Sequence, residues 1–519
     1  MRNVIGRTSG GRAVRIICIA TALVAACGQA IAQPAGSGSA AMTQPADQDR
    51  DLPLPLPIAQ SPLGLPAAQV TVEAGRATGP LEMWRHTVGH GGINAVPLPD
   101  RVIRGAAVLR PRLIRIFIQE FFYIYPEAGR FDWSRLDPYM DALGRTGAKV
   151  VAAITIKPKP LYPKVDQRIW RPASVEEWQR VIAAMVKRYS VDKPLVTYWE
   201  IGNETDIGEN GGCPYLITDV ADYLAYYRMT TEPILATFPA AKVGGPAVAN
   251  ANGPLLAGFI DRCAAEKVRM DFISWHLYSD DPVGHAGLVN RYRKLLEEKF
   301  PGKRPEMLVT EWSKGFDPVS VEELAFEPRR AACTAAGILA MTDAAADWTF
   351  YYHLWDQVCH VETFRPFFGD VNIMYRHWNE VPHRFGLFGV DGEARPQYFV
   401  YWMLGRLGSQ RLGATSSEAD LRVLAGRDGG TVAALIANYG MPNSRDRTAT
   451  VRFAGLKGGF RQLRTWRIDR SQSWSVRRLE LIPRETRLTD VRETFSFQVL
   501  LPADSVCLVA LEETSASAP

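Results

Sequence analysis

Short apolar runs rich in Val, Ile, Phe and Trp alternate with longer amphipathic stretches from about residue 70 to about residue 400. The amphipathic stretches, such as 174–189 and 220–238, space their apolar residues about 100° apart, which is typical of helices that lie on a sheet. Because a parallel strand needs a long crossover to return, this alternation predicts an α/β fold, a closed parallel (β/α)8 TIM barrel. The predicted barrel strands are 81–88, 113–117, 150–156, 195–201, 242–245, 272–277, 307–310 and 348–354.

An open, doubly wound sheet is the structural alternative to the barrel. Such sheets commonly place a Gly-rich phosphate-binding turn after an early strand, and no such turn follows here. We therefore favour the barrel.

The pattern changes after the helical stretch 397–407, which completes the eighth repeat. From about residue 421 the chain reads as short alternating strands divided by Gly, Asn and Asp turns, which predicts a small antiparallel β-sandwich. We assign residues 69–408 to the catalytic barrel and 409–515 to the sandwich. The sandwich segment carries no obvious catalytic cluster, so we expect it to pack against the barrel, and a separate carbohydrate-binding role is the alternative.

The first 32 residues have the organisation of a signal peptide. They combine a basic start, an apolar stretch at 16–26 and a small-residue cleavage site, Ala-Ile-Ala at 30–32. This predicts an exported protein, periplasmic or extracellular, and the alternative is a lipoprotein-type site that leaves Cys27 as a lipid anchor. Residues 33–68 are rich in Ala, Pro, Gln, Gly and Ser, which predicts a disordered linker. No other window is apolar for long enough to predict a transmembrane segment.

Charge and cysteine content exclude two classes of protein. The formal net charge is +5, and four arginines lie in the signal peptide, so the rest of the chain is nearly neutral and nucleic acid is not an expected partner. Five scattered cysteines follow the leader, an odd number, so a disulfide framework is not the basis of the fold. We expect mostly free buried thiols, with a Cys213–Cys359 disulfide as the alternative. No Cys pair has metal-ligand spacing, so no metal site is expected.

Two segments carry the candidate chemistry: Tyr-Trp-Glu-Ile-Gly-Asn-Glu-Thr-Asp at 198–206 and Met-Leu-Val-Thr-Glu-Trp-Ser at 307–313. Each contains a β-branched and aromatic run that ends on a glutamate. Glu204 and Glu311 are therefore expected at the carboxyl ends of the fourth and seventh strands, where barrel enzymes hold their active sites. Two carboxylates in one pocket are the minimal equipment for cleaving a glycosidic bond, so the residues predict a glycosidase.

Four motifs along the barrel are Ile-Gly-Asn-Glu at 201–204, Val-Gly-Gly-Pro at 243–246, Asp-Phe-Ile-Ser-Trp-His-Leu-Tyr at 271–278 and Val-Thr-Glu-Trp at 309–312. In this order and spacing they resemble family 39 of the glycoside hydrolases, within clan A of the barrel glycosidases. The resemblance begins near residues 84–89 and covers the whole barrel and, less specifically, the sandwich. Relatives of this kind include β-xylosidases, α-L-iduronidases and hydrolases of bacterial exopolysaccharides.

The resemblance implies roles for the residues at the barrel mouth. Glu204 is expected to be the general acid/base and Glu311 the nucleophile. Arg115, on the second strand, is expected to donate to Glu311 and to lower its pKa. Asn203 is expected to bind the sugar hydroxyl next to the reacting carbon.

The sixth strand is expected to supply two further residues of the site. His276 and Tyr278 alternate along the strand, so both can face the same side of the pleat. The resemblance places them beside Glu311, where the Tyr278 hydroxyl would keep the carboxylate ionised and His276 would hold the catalytic pair in register. A core histidine and a packing tyrosine are the alternatives.

Four more residues are candidate sugar contacts. Trp312 and Trp355 offer aromatic faces near the mouth on which sugar C–H faces can stack, with core packing as the alternative. His90 and Glu120 follow the first two strands and are candidate hydroxyl binders. No metal ion or organic cofactor is expected.

The chain departs from the family pattern at positions that concern the substrate. An aromatic residue commonly precedes the Asn-Glu pair and a proline follows it, whereas Gly202 and Thr205 occupy these places here. The segment Trp312-Ser313 also replaces the familiar residues after the nucleophile. The substrate of any one relative is therefore not transferred to this chain.

The sequence thus predicts a retaining glycoside hydrolase that acts by double displacement on an oligosaccharide or polysaccharide, such as a xyloside. An endo-acting hydrolase of a bacterial exopolysaccharide is one alternative. A non-catalytic glycan-binding protein on a degenerate barrel is another. The sequence carries no signal for an oligomeric state.

Overall fold

The computed structural model describes residues 65–315, 327–380, 385–471, 474–475 and 478–514. The predicted signal peptide, the lipid-anchor alternative at Cys27 and nearly all of the predicted linker lie outside the described residues. Within them, no helix combines the length and apolar character that crossing a membrane requires. The cysteines at 213, 263, 333, 359 and 507 are free and buried.

The chain begins with one strand of a second sheet, β1 (Ala67–Pro80), and then enters a closed barrel. Neighbouring barrel strands are all parallel and follow the order of the chain, so the predicted (β/α)8 barrel is confirmed. The barrel strands are β2 (His86–His90), β3 (Leu113–Gln119), β4 (Lys149–Thr155), β5 (Val196–Ile201), β6 (Lys242–Val248), β7 (Phe272–Tyr278), β8 (Glu306–Ser313) and β9 (Trp348–Tyr352).

Amphipathic helices cover the barrel. Three of them begin at side-chain caps: Ser174 accepts from the backbone N–H of Glu177, Asp219 from those of Ala221 and Asp222, and Asp281 from that of Val283. The helices are α1 (Asp100–Leu109), α2 (Leu136–Gly144), α3 (Val175–Val186), α4 (Val220–Thr237), α5 (Pro254–Ala265), α6 (Pro282–Lys299), α7 (Pro328–Asp343), α8 (Asn372–Tyr375) and α9 (Pro396–Leu404).

The second sheet is mostly antiparallel and runs in the order β17-β14-β19-β12-β11-β10-β1-β13-β18. Only the pairing of β1 with β13 within this order is parallel. The strands after the barrel are β10 (Gln410–Ser416), β11 (Leu421–Asp428), β12 (Thr431–Asn438), β13 (Arg447–Ala454), β14 (Gly459–Ile468), β15 (Trp474–Ser475), β16 (Glu480–Leu481), β17 (Glu485–Val491), β18 (Thr494–Leu501) and β19 (Ser505–Glu513).

Strand β1 departs from the boundaries that the sequence predicted. Residues 67–80 were divided between the linker and the barrel, but they form an inner strand of the second sheet, between β10 and β13. The physical reason is an alternation of apolar residues: Ala68, Val70, Val72 and Ala74 are all buried in the core of that sheet. The first barrel strand therefore begins at His86, later than predicted.

The second sheet packs on the barrel through helix α7. This helix is buried along most of its length because it contacts both α6 of the barrel and strands β11, β12 and β19. Its small side chains at 331–337 allow this close approach on two sides. An ion pair of Arg329 with Asp504, 2.8 Å long, also joins the two parts.

Candidate active site

A cavity of about 470 Å³ opens at the carboxyl ends of the barrel strands, where both predicted catalytic glutamates lie. Loops after several strands contribute to its wall, which is mostly apolar but also carries polar side chains. The lining residues are Gly92, Phe117, Gln119, Glu204, Ile207, Asn210, Gly211, Gly212, Ala249, Tyr278, Glu311, Tyr352, Met374, His377 and Trp378.

The backbone turns sharply after β5 and brings Glu204 to the cavity. Gly202 has a φ of 88° and Glu204 a φ of 45°, both in the left-handed region. The backbone N–H of Glu204 donates to the carbonyl of Ala247 at 2.8 Å, which holds the turn against the end of β6. A Cβ on Gly202 would lie 2.9 Å from Cγ2 of Thr205, so the glycine suits both the backbone conformation and the space.

Glu311 lies on β8 and receives a hydrogen bond on each carboxylate oxygen. Nη1 of Arg115 donates to Oε1 at 2.6 Å, and the hydroxyl of Tyr278 donates to Oε2 at 2.6 Å. The Glu311 side chain is almost fully buried. These two donors stabilise the ionised form of Glu311 and fix its orientation.

Arg115 is fully buried and distributes its guanidinium over three acceptors. In addition to the contact with Glu311, its Nε donates to Oε2 of Glu200 at 2.7 Å and its Nη2 donates to Oδ1 of Asn203 at 2.7 Å. Strand β3 carries the arginine into the barrel interior, directly beneath the two catalytic candidates. The planar fork of an arginine suits such a set of acceptors.

The two catalytic candidates lie close together in different surroundings. One carboxylate oxygen of Glu204 and one of Glu311 lie within 4.8 Å of each other. Burial, the charge of Glu311 and the charge of Asp206 raise the pKa of Glu204 well above its ordinary value, and Arg115 only partly opposes them. Burial also raises the pKa of Glu311, but Arg115 and the Tyr278 hydroxyl act against that rise through direct hydrogen bonds. Glu204 is thus the group that retains a proton, and Glu311 is the group that ionises first.

His276 contacts the acid candidate rather than the nucleophile candidate. Its Nδ1 lies 2.6 Å from Oε1 of Glu204 and 3.7 Å from Oε2 of Glu311. Burial and the nearby Arg115 hold the pKa of His276 well below its ordinary value, so the ring is neutral. A neutral ring orients Glu204 without adding a positive charge that would drive off its proton.

Asn203 lies beneath the catalytic pair and joins Arg115 to the loop after β5. Its Oδ1 accepts from Arg115, and its Nδ2 donates to the carbonyl of Gly211 at 3.0 Å. The structure therefore brings Asn203 to the site, and its contact with a sugar hydroxyl stays a prediction.

Gly211 packs directly against the acid candidate, which leads to a testable prediction. A Cβ at this position would lie 2.1 Å from Oε2 of Glu204 and 2.5 Å from its Cβ. We expect Gly211→Ala to displace the Glu204 carboxyl and to lower kcat/KM by about 10- to 100-fold on a glycoside with a poor leaving group. The measurement is kcat/KM on two aryl glycosides, one with a poor and one with a good leaving group.

A matched control for this prediction is Gly287→Ala on helix α6, where an added Cβ would meet open space. The control is expected to retain the kinetics of the parent enzyme, since Gly287 lies away from the cavity. Equal kcat/KM for Gly211→Ala and the control would contradict the close packing of this loop on Glu204.

Two tryptophans predicted to stack on the sugar lie elsewhere. Side chains alternate along a strand, so Trp312 points away from the barrel interior when Glu311 points into it. The Trp312 ring is buried against Gly337 of α7 and His285 of α6. Trp355 is also buried, and its indole N–H donates to the carbonyl of Val390 at 3.1 Å. Neither tryptophan lines the cavity, and both are buried in the core.

The two candidate hydroxyl binders are likewise placed behind the cavity wall. His90 is fully buried and stacks on Tyr139 of α2, and burial lowers its pKa to about 3. Glu120 follows the cavity residue Gln119 but points to the other side, where it accepts from the backbone N–H of Lys157 at 2.9 Å. Burial raises the pKa of Glu120 to about 8. Neither residue lines the cavity, since His90 packs on Tyr139 and Glu120 faces Lys157.

Several residues of the site were not found from the sequence. Phe117 and Gln119 line the cavity, and both follow Arg115 at intervals of two along β3, so the strand period was a usable signal. Glu200 beneath Arg115 had no such signal, because a carboxylate inside a buried strand gives no indication of its partner. The outer wall of Met374, His377 and Trp378 comes from the long connection after β9, which carries no motif.

Glu204, His276 and Glu311 form a group whose ligand atoms are close enough to hold a metal ion. The contacts of these three residues favour acid/base and nucleophilic chemistry over metal binding. Nδ1 of His276 is engaged with Glu204, and the Arg115 guanidinium lies 2.6 Å from Glu311. A divalent cation placed here would be repelled by Arg115 at short range. The arrangement suits proton transfer and nucleophilic attack better than metal binding.

Comparison with known proteins agrees with this geometry. Residues 68–469 match the family model described as glycosyl hydrolases family 39. A beta-xylosidase of Geobacillus stearothermophilus is 20% identical over 307 residues, which cover 56% of this chain and 55% of that enzyme. A beta-xylosidase of Caldicellulosiruptor saccharolyticus is 23% identical over 370 residues, which cover 65% of this chain and 70% of that enzyme. The chain thus spans only about half the length of the first of these relatives.

Solved structures share the fold. A glucosidase from Croceicoccus marinus has a TM-score of 0.66 at 18% identity, and the match covers 87% of this chain and 99% of that one. The family match extends over the barrel and into the second sheet and includes both catalytic candidates. The chain therefore belongs to family 39 of the glycosyl hydrolases.

Proposed function

We propose that this chain is a retaining glycosidase that works by double displacement. The observation that carries the proposal is the catalytic pair: two carboxyl groups with oxygens within 4.8 Å of each other, one bound to a cation and one not. Retaining glycosidases hold their carboxyl groups about 5 to 5.5 Å apart, whereas inverting enzymes leave about 6.5 to 9.5 Å for a water molecule. The short separation supports direct attack by one carboxylate.

In the first step Glu311 attacks the anomeric carbon. A bond forms between its carboxylate oxygen and that carbon as the glycosidic bond breaks, and the leaving oxygen takes the bonding electron pair together with the proton of Glu204. The raised pKa of Glu204 supplies this proton near neutral pH. Arg115 and Tyr278 hold Glu311 in place for the attack.

In the second step water releases the sugar from Glu311. Glu204, now ionised, takes a proton from the water as the water oxygen bonds to the anomeric carbon, and Glu311 leaves as a carboxylate. Arg115 and Tyr278 stabilise the carboxylate that reappears. Two inversions at one carbon give net retention.

The cavity supports a neutral sugar as the substrate. Among the described residues, its lining contains no Lys or Arg that could pair with a sugar carboxylate. Lys157, which follows β4, donates to the carbonyls of Asp166 and Pro214 and does not line the cavity. Phe117, Tyr352 and Trp378 supply aromatic surface of the kind that suits the C–H faces of a pyranose. Two curated relatives are named as beta-xylosidases, so a xyloside or a similar neutral glycoside is the substrate that we propose.

The outer wall favours removal of a terminal sugar over cleavage within a chain. Met374, His377 and Trp378 cover one side of the cavity, and this wall is tied to the loop after β5. Glu209 of that loop, which is buried, accepts from the backbone N–H groups of Gly369 and Asp370 at 2.8 and 3.1 Å. A wall held in this way closes the cavity into a pocket, which is the shape that an exo-acting enzyme needs.

The test is hydrolysis of a panel of aryl glycosides, including a β-xyloside, a β-glucoside and an α-L-iduronide, beside a set of bacterial exopolysaccharides. We expect turnover of one neutral glycoside and none of the iduronide. Proton NMR of the first product formed should show the anomer of the substrate. Formation of the opposite anomer would exclude double displacement, and shortening of a polymer without turnover of any aryl glycoside would replace the exo mode by the endo alternative.

A further inference from the structure

A second carboxylate shares the arginine that binds the nucleophile. Glu200 lies on β5, four residues before Glu204, and its side chain is fully buried. Its Oε2 accepts from Nε of Arg115 at 2.7 Å, while Nη1 of the same guanidinium donates to Glu311 at 2.6 Å. Glu200 does not line the cavity, so it cannot touch the sugar.

Among the described residues, the side chain of Glu200 forms its hydrogen bond with Arg115. Its other oxygen, Oε1, has no hydrogen-bond partner among the described residues, although the atom is buried. A buried carboxylate is expensive unless it is paired, and a carboxylate that served only to tie strands together would be expected to use both oxygens. We therefore interpret Glu200 as a residue whose role at the floor of the site is to bind the Arg115 guanidinium.

The geometry divides one positive charge between two carboxylates. The guanidinium plane is held at three corners by Glu200, Glu311 and Asn203. Loss of the hydrogen bond to Glu200 would let the Arg115 guanidinium rotate. Loss of the negative charge of Glu200 would strengthen the net attraction between the guanidinium and Glu311. The first effect concerns position and the second concerns charge, so the two can be separated by the choice of substitution.

We propose that Glu200 is a positioning residue of the reaction: it acts through Arg115 by fixing the guanidinium on Glu311 and by limiting how much positive charge the attacking carboxylate experiences. The proposal rests on the proposed double displacement. A carboxylate whose charge is fully neutralised by a cation is a weak nucleophile, so a shared cation leaves Glu311 ionised but reactive. The negative charge of Glu200 also contributes to the raised pKa of Glu311, behind burial as the larger cause.

The ionisation of Glu311 depends on several groups around it, and Glu200 is the one outside the cavity whose charge can be removed without changing the direct contacts of Glu311. The titratable and charged groups that face Glu311 are Arg115 on β3, Glu200 on β5, Glu204 after β5, His276 and Tyr278 on β7, and Tyr352 on β9.

The experiment compares Glu200→Gln with Glu200→Ala in the full chain. Glutamine keeps an acceptor oxygen for Arg115 and removes the charge. For Glu200→Gln we expect the acid limb in the pH profile of kcat/KM to move down by about one pH unit. The basic limb should shift less, since Glu311, unlike Glu204, accepts a hydrogen bond directly from the guanidinium. Alanine removes the acceptor as well, and we expect kcat/KM at the pH optimum to fall about 100-fold as Arg115 loses its position.

Glu306→Gln is the matched control. Glu306, at the amino-terminal end of β8, also pairs with a cation, Lys242 at 2.8 Å, but lies at the other end of the barrel. We expect no shift of the acid limb in this variant. Thermal unfolding of all three variants shows whether any is destabilised, and a lower melting temperature alone does not move a pH profile.

The outcomes are distinct. An acid limb of Glu200→Gln that coincides with that of the parent enzyme would overturn the proposal, as would equal kcat/KM for Glu200→Ala and Glu200→Gln. Absence of turnover by the parent enzyme on every glycoside and polymer would instead overturn the proposed function. A downward shift in Glu200→Gln that is absent from Glu306→Gln supports the role of Glu200.

Discussion

Replacement of Glu311 by alanine is expected to abolish turnover. The substitution removes the atom that bonds to the anomeric carbon. Among the described residues, Glu204 is then the one carboxylate that still lines the cavity. Loss of a covalent nucleophile costs on the order of 10⁴-fold or more in kcat. The measurement is steady-state hydrolysis of the best aryl glycoside from the panel.

Azide provides an independent readout for the Glu311→Ala enzyme. The smaller side chain leaves room on the face of the sugar where Glu311 attacks, so azide can displace an activated leaving group from that face. The glycosyl azide formed should have the anomeric configuration opposite to the substrate, since only one inversion occurs. Hydrolysis by Glu311→Ala at a rate close to that of the parent enzyme would contradict the assignment of Glu311 as nucleophile.

Glu204→Gln is expected to show an effect that depends on the leaving group. The amide cannot donate a proton as the bond breaks, so kcat/KM should fall by about 10² to 10⁴ on a glycoside with a poor leaving group and should change little on a dinitrophenyl glycoside. The second step needs Glu204 as a base, so kcat should fall on both substrates. Accumulation of the glycosyl-enzyme should then appear as a burst of dinitrophenol.

The pH dependence gives the second readout for Glu204→Gln. In the parent enzyme, activity on the poor leaving group is expected to fall at high pH as Glu204 loses its proton, and the raised pKa of Glu204 places this basic limb well above the ordinary range for a carboxyl group. The variant should lack the basic limb. Equal losses of kcat/KM on good and poor leaving groups would contradict the role of Glu204 as the acid.

Single residues show how far the sequence could predict the site. Glu204, Glu311, Arg115 and Tyr278 were assigned to the barrel mouth from strand ends and motifs, and the structure brings all four together. Trp312 shows where motif reading was insufficient, because the alternation of side chains along β8 sends it outward from Glu311. His276 was expected beside Glu311, yet its ring lies nearer to Glu204 by about 1 Å.

The sequence alone determined the barrel and predicted which two carboxyl groups would meet at its mouth. Buried parallel strands and amphipathic helices each produce a local hydrophobic pattern in the sequence. The end of each strand can be read from that pattern, and barrel enzymes hold their functional residues at those ends. The small residues of α7 and the alternation in β1 were also visible in the chain.

Only the tertiary structure decided which partners these residues meet. The insertion of β1 between β10 and β13, the sharing of Arg115 by Glu200 and Glu311, and the wall formed by Met374, His377 and Trp378 all join segments that are distant in sequence. Such contacts depend on strand register and on the paths of long connections. Neither leaves a periodic signal in the sequence, and both are set by the packing of the whole fold.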